Sequence, residues 1–155
     1  LFNKENVIAV RANTTGGRPR WYAGAGIYRH AWLQVVNPIH IPTYGTYITT
    51  PFISDEKAEL KIITTLSNAT DREQILTISQ RVLDDAGKQV AQSDKNKIVV
   101  SAGQLMDLEQ QFSLKAPDLW TLEHPTIYQM ETTVRTGSRI VISTGLLRNT
   151  GIQIR

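Results

Sequence analysis

Residues 58–67 read Ala58-Glu59-Leu60-Lys61-Ile62-Ile63-Thr64-Thr65-Leu66-Ser67, and this stretch decides the fold class. Ala58, Leu60, Ile62, Thr64 and Leu66 share one parity, while Glu59, Lys61, Thr65 and Ser67 share the other. Successive side chains of a strand point to opposite faces, so a period of two marks a strand with one buried face. The same pattern recurs on either side. Residues 73–83 turn Leu76, Ile78 and Val82 inward. Residues 106–114 turn Leu108, Phe112 and Leu114 inward and Asp107, Glu109 and Gln111 outward. Residues 127–135 place Tyr128, Met130, Thr132 and Val134 on one side. Shorter β runs occupy 88–93, 97–100, 139–143 and 151–155, separated by turn residues such as Asp84-Asp85-Ala86-Gly87 and Thr136-Gly137-Ser138. No window of a dozen residues keeps a helical period.

About seven strands spaced roughly ten residues apart predict an antiparallel sandwich of immunoglobulin-like size over residues 51–155. Upstream, residues 6–12 (NVIAVRA) and 31–36 (AWLQVV) are further β runs, stopped by Asn13-Thr14-Thr15-Gly16-Gly17 and by Asn37-Pro38. Residues 42–47 read as a linker or edge strand that ends at Thr49-Thr50-Pro51. Fifty residues are too few to bury a sandwich core of their own. The expectation is therefore all-β in two parts: residues 1–50, the closing strands of a preceding β domain with its linker, and residues 51–155, a complete sandwich.

The 155 residues are 41% hydrophobic and 20% charged, with 10 Gly and 6 Pro, an ordinary globular composition. The chain opens on Leu1 in the middle of an apparent element, so it is expected to be a piece of a longer protein. It shows no cationic, apolar leader and no apolar stretch near the ~18 residues of a membrane span, so no membrane partner is expected. With no cysteine, disulfides, thiolate catalysis and cysteine metal sites are excluded, and the redox compartment cannot be read; periplasm and cytoplasm both remain open. Of the net charge of +3, the first 50 residues carry Lys4, Arg11, Arg18, Arg20 and Arg29 against Glu5 alone. These cations are scattered and belong to no nucleic-acid-reading motif, so no nucleic-acid partner is expected.

Candidate chemistry is sparse. His30, His40 and His124 have no zinc-ligand spacing. Gly24-Ala25-Gly26 precedes a strand and has no following helix to cradle phosphate, and no serine sits in a GxSxG elbow. The triplets Asn13-Thr14-Thr15 and Asn68-Ala69-Thr70 are glycan acceptors only in a glycosylating source. Retaining glycoside hydrolysis needs two rigidly held carboxylates about 5 Å apart, and the acids here lie mostly at turns and on outward faces. The residues by themselves show no catalytic site, metal site or cofactor site.

Two segments add a resemblance. Residues 20–33, RWYAGAGIYRHAWL, resemble the R-W-Y-x-G-A-G-I-Y-R-x-x-W-L stretch of glycoside hydrolase family 2, the β-galactosidase, β-glucuronidase and β-mannosidase family. That stretch closes the family's sugar-binding jelly roll. Residues 6–11, NVIAVR, are similar to an earlier strand of the same domain, and residues 41–51 to its linker. Residues 116–128, APDLWTLEHPTIY, resemble the P-x-L-W-x-x-x-x-P-x-L-Y signature of the family's immunoglobulin-like domain.

The resemblance implies the closing strands of a jelly roll, then an immunoglobulin-like sandwich, then a (β/α)₈ barrel carrying both catalytic glutamates. The chain contains no Asn-Glu pair of the kind that marks one of them, and it ends in Gly151-Ile152-Gln153-Ile154-Arg155, with Gln where the family usually has Arg. The implied role is a non-catalytic part of a β-galactosidase-type enzyme acting on carbohydrate. A stand-alone immunoglobulin-like adhesion or carbohydrate-binding module is the alternative. Trp21, Gly26, Arg29, Trp120, Pro125 and Tyr128 carry the motifs. Trp120 is expected to plug the sandwich core and Arg29 to make a buried hydrogen-bonded pair. Some family members carry Asp at the position of His30, where it helps hold a sodium ion and the sugar's 6-hydroxyl. An imidazole is no hard-cation oxygen ligand, so His30 is expected to offer substrate a hydrogen bond at the rim of the site, or else to pack at a domain interface.

Overall fold

A computed structural model describes residues 4–13, 26, 27, 29–143, 151, 152 and 154. The chain divides into two compact units, Leu1–Val35 and Val36–Arg155. Among its described residues the second carries ten strands: β1 (Ile39–His40), β2 (Thr46–Ile53), β3 (Lys57–Asn68), β4 (Gln74–Leu83), β5 (Gln89–Gln92), β6 (Asn96–Val100), β7 (Leu105–Lys115), β8 (Tyr128–Thr136), β9 (Arg139–Ser143) and β10 (Gly151–Ile152). No helix occurs among the described residues, and every strand pairing is antiparallel.

Two expectations change. Residues 6–12 and 31–36 carry no strand, although their patterns ask for one. Alternation only requests a buried face, and Val7, Ile8, Trp32, Leu33 and Val35 are 72–87% exposed. The boundary expected between residues 50 and 51 falls instead after Val35. Residues 39–53 belong to the sandwich, because β1 and β2 are both hydrogen-bonded to β3. Pro51 marked a strand end on paper, yet β2 continues through it across a register shift between Thr49 and Phe52. A proline is tolerated at such a bulge because no ladder N–H is required of it.

In the first sheet β3 is central. β7 runs beside it from Lys57↔Lys115 to Ser67↔Leu105, and β2 and β1 follow one another along its other edge. In the second sheet β4 and β8 are central; β6 and β5 share the outer edge of β4, and β9 and β10 share the outer edge of β8. On the outward face of the first sheet, Lys61 Nζ meets Glu109 Oε2 at 2.8 Å and holds that carboxyl below its ordinary range, with help from Gln111. Both partners are exposed, so the pair adds little stability.

The inward residues form two apolar clusters. One contains Ala58, Leu60, Ile62, Val82, Leu114, Tyr128 and Met130; the other contains Leu66, Leu76, Ile78, Ile98, Val100 and Val134. A polar belt separates them. Thr64 on β3, Gln80 on β4, Gln110 on β7, Thr132 on β8 and Ser93 after β5 are all buried. Gln80 Nε2 crosses to the opposite sheet and donates to Thr64 Oγ1 at 2.8 Å. Gln110 Nε2 crosses the other way to Ser93 Oγ at 3.0 Å and Asn96 Oδ1 at 3.1 Å. The belt lies where β4 changes partner from β6, paired up to Ile78, to β5, paired from Arg81. There the Gln80 N–H donates to Ser93 Oγ at 2.9 Å, and the Ser93 N–H donates to the Gln80 carbonyl at 2.8 Å.

Asn68 closes one end of the sandwich. Fully buried, it donates from Nδ2 to the carbonyls of Arg72, Val100 and Ser101 at 2.9, 2.9 and 3.2 Å. Its Oδ1 accepts from the Thr70 N–H and hydroxyl at 3.1 and 2.6 Å. One side chain thus pins the end of β3 to the turn before β4 and to the end of β6. Each buried group stranded by its loss costs about 1–3 kcal/mol. We expect Asn68→Ala to destabilise the fold by at least about 2 kcal/mol, read as a lower urea midpoint at unchanged slope. A midpoint within error of the wild type would remove this role.

Candidate functional site

The residues singled out by sequence lie in two places. Those of the first motif fall in the Leu1–Val35 unit. Trp21 lies outside the described residues. Gly26 has φ +146°, a conformation that side-chain-bearing residues rarely adopt. Arg29 is exposed. His30 is exposed, its ring 5.7 Å from that of Trp32 at a tilt of 53°. Among the described residues no group of three or more His, Asp or Glu could hold a metal ion.

The second motif builds a latch between β7 and β8. Ala116, with φ 43°, turns the chain out of β7 while its N–H donates to the Glu56 carbonyl at 2.7 Å. Pro117 is buried, and Leu119 packs on the first apolar cluster. The Trp120 N–H donates to the Ile154 carbonyl at 2.8 Å, tying the loop to the far end of the chain. Thr121 and His124 close a turn in both directions, with the Thr121 N–H donating to the His124 carbonyl at 3.0 Å and the His124 N–H to Thr121 Oγ1 at 2.9 Å. Pro125 is exposed on that turn. Tyr128 then enters the core, 3% exposed, and its Oη accepts from the Asp118 N–H at 2.7 Å. Trp120 is only half-buried and belongs to neither cluster; Leu119 contributes the core contact expected of it.

A cleft of about 310 Å³ opens on the edge of the second sheet, beside the polar belt. Its lining includes Ser79, Ser93, Arg81 and Asp94 but no histidine, so it offers no serine–histidine pair. The Ser93 hydroxyl is already used, donating to the Asp94 carbonyl at 2.9 Å and accepting from Gln80 and Gln110. Arg81 is paired with Glu131. Asn68, one of the two possible glycan acceptors, has its amide buried and fully engaged, which closes it to modification in the folded chain. The key polar residues missed by sequence reading were Gln80, Gln110, Ser93 and Asn68. A signal existed for the two glutamines, because each occupies an inward parity position between apolar neighbours.

Comparison with known proteins gives one consistent result. The sequence profile of the glycosyl hydrolases family 2 matches residues 39–145. The β-galactosidase BoGH2A of Bacteroides ovatus is 36% identical over 134 residues, covering 86% of this chain and 16% of that protein. A β-glucuronidase of Formosa agariphila is 26% identical, covering 90% of this chain and 16% of that protein. Among solved structures, a family 2 member from Bacteroides cellulosilyticus superposes with a TM-score of 0.79 at 27% identity, covering 93% of this chain and 19% of that one. The chain thus spans 16% of the length of each of these two curated relatives.

Burial pushes the Tyr128 phenol above its ordinary value of 10.0; the bond from Asp118 opposes this, and the charges of Asp118, Asp84 and Asp85 add to it. A raised native value stabilises the fold below pH 10, and that contribution is lost as pH rises, because the unfolded chain releases its proton first. Tyr128→Phe strands the Asp118 N–H and is expected to cost about 0.5–1.5 kcal/mol near neutral pH. We expect the stability gap between the two proteins to shrink above about pH 10 in denaturant melts; a gap that widens there would contradict a buried, protonated phenol. Trp120→Ala is expected to cost less than the ~3–5 kcal/mol of a fully buried aromatic.

Proposed function

The chain belongs to the glycosyl hydrolases family 2, and we propose that it serves there as a non-catalytic support, a β-sandwich that spaces and buttresses a catalytic (β/α)₈ barrel outside these 155 residues. The observation that carries this reading is the use to which the second motif puts its polar groups. The backbone amides of Asp118 and Trp120 and the phenol of Tyr128 are spent on holding the loop to the sandwich, and the amide of Thr121 closes the loop's own turn. Such a loop presents a fixed surface and performs no chemistry. The small share of each relative that the chain spans supports the same division of labour. We read the Leu1–Val35 unit as the end of the sugar-binding jelly roll, with His30 as a hydrogen-bonding contact at the rim of the parent's site. The likeness to BoGH2A favours a β-galactoside substrate for that parent.

Two measurements test this. The isolated chain should release no phenol from an aryl β-galactoside above a buffer blank, whereas the full-length parent should turn it over. Turnover by the chain that vanishes when one of its own acids is mutated would overturn the reading. In the parent, His30→Ala should raise KM with little change in kcat, because a rim contact binds ground and transition states alike and is worth about 0.5–1.5 kcal/mol. Activity at constant ionic strength should not depend on sodium. Wild-type kinetics for His30→Ala would leave His30 as a packing residue.

A further inference from the structure

The polar belt holds two oxygens that receive no hydrogen bond from the described residues, Gln80 Oε1 and Gln110 Oε1. Their side chains are 1% and 4% exposed. Buried acceptors left without a donor are rare in folded proteins, since each forfeits its hydration without replacement. The belt cannot repair this internally. Gln110 Nε2 faces three acceptors, namely Ser93 Oγ at 3.0 Å, the Asp94 carbonyl at 3.3 Å and Asn96 Oδ1 at 3.1 Å. Turning the Gln110 amide over, with Asn96 turned to match, would place its NH₂ where the unmet oxygen now lies and leave a donor unmet instead. Turning the Gln80 amide over would only exchange an unmet acceptor for an unmet donor.

We infer that the belt is a binding site for internal water, which donates to Gln80 Oε1 and Gln110 Oε1 between the two apolar clusters. Gln80 and Ser93 also belong to the lining of the cleft of about 310 Å³ at the edge of the second sheet, so solvent lies close to the belt. The belt side chains, Thr64, Gln80, Ser93, Gln110 and Thr132, are all uncharged. A cation there would lose its hydration with no counter-charge in the belt, whereas a neutral donor meets the two oxygens at no such cost.

The test is a crystal structure of the 155-residue chain, grown once from sodium and once from potassium solution, with water–amide cross-relaxation measured by NMR on the same protein. The expected result is density about 2.7–3.2 Å from each of the two oxygens, identical in both salts, with cross-peaks from water to the side-chain amides of Gln80 and Gln110. Gln80→Met should remove the feature at position 80 and leave that at Gln110. Two results overturn the inference: both oxygens bonded to protein donors with no density beside them, or density whose strength changes with the cation. The wild-type structure alone decides the matter if Gln80→Met does not fold.

Discussion

Gln80 is where the two sheets are tied together. At this residue β4 has lost β6 and not yet gained β5, so its N–H and carbonyl would lie buried without a ladder partner. Ser93 supplies both, through its hydroxyl at 2.9 Å and its N–H at 2.8 Å. The Gln80 side chain meanwhile reaches Thr64 in the opposite sheet. With no cysteine in the chain, no covalent link joins the sheets, and this crossing of hydrogen bonds takes that place. Each such bond adds only about 0.5–1.5 kcal/mol net, but breaking one strands groups that cannot reach bulk solvent.

The belt also sets register in a way the apolar clusters cannot. Slipping a strand by one residue turns its whole inward face outward, which the alternation already forbids. Slipping it by two keeps every parity and still packs leucine on isoleucine. It would, however, carry the Gln80 amide away from Thr64 Oγ1, which it meets at 2.8 Å in the opposite sheet. Gln110 lies one inward position along, opposite Ile62, and makes its own crossing to Ser93. Buried polar groups that choose among otherwise similar packings are a known use of such residues.

The same economy governs the loop between β7 and β8. A tryptophan and two prolines suggest a binding surface, yet the contacts run inward: Leu119 to the core, the Trp120 amide to Ile154, and Tyr128 Oη to Asp118. The loop is held at both ends and along its middle, and its longest exposed run is the Thr121–Pro125 turn. A loop tied down in this way is consistent with the supporting role proposed for the sandwich. Ser93 and Arg81 in the cleft are likewise spent, on the Gln80 backbone and on Glu131.

Strand alternation alone determined that β3, β4, β7 and β8 exist, which face of each is buried, and that the chain is all-β, because parity is a local property of consecutive residues. The two motifs were equally legible, and with them the family. Other features depended on partners distant in sequence. Residues 6–12 and 31–36 have the pattern of strands but are not strands, since a strand is completed by its neighbour rather than by its own residues. β2 runs through Pro51 because a bulge relieves it of one ladder bond. Trp120 yielded its place in the core to Leu119. Gln80 and Gln110 sit between apolar neighbours of the same parity, and only the meeting of two sheets made them the belt that holds both, because a hydrogen bond between residues 16 or 17 positions apart is invisible until the chain is folded.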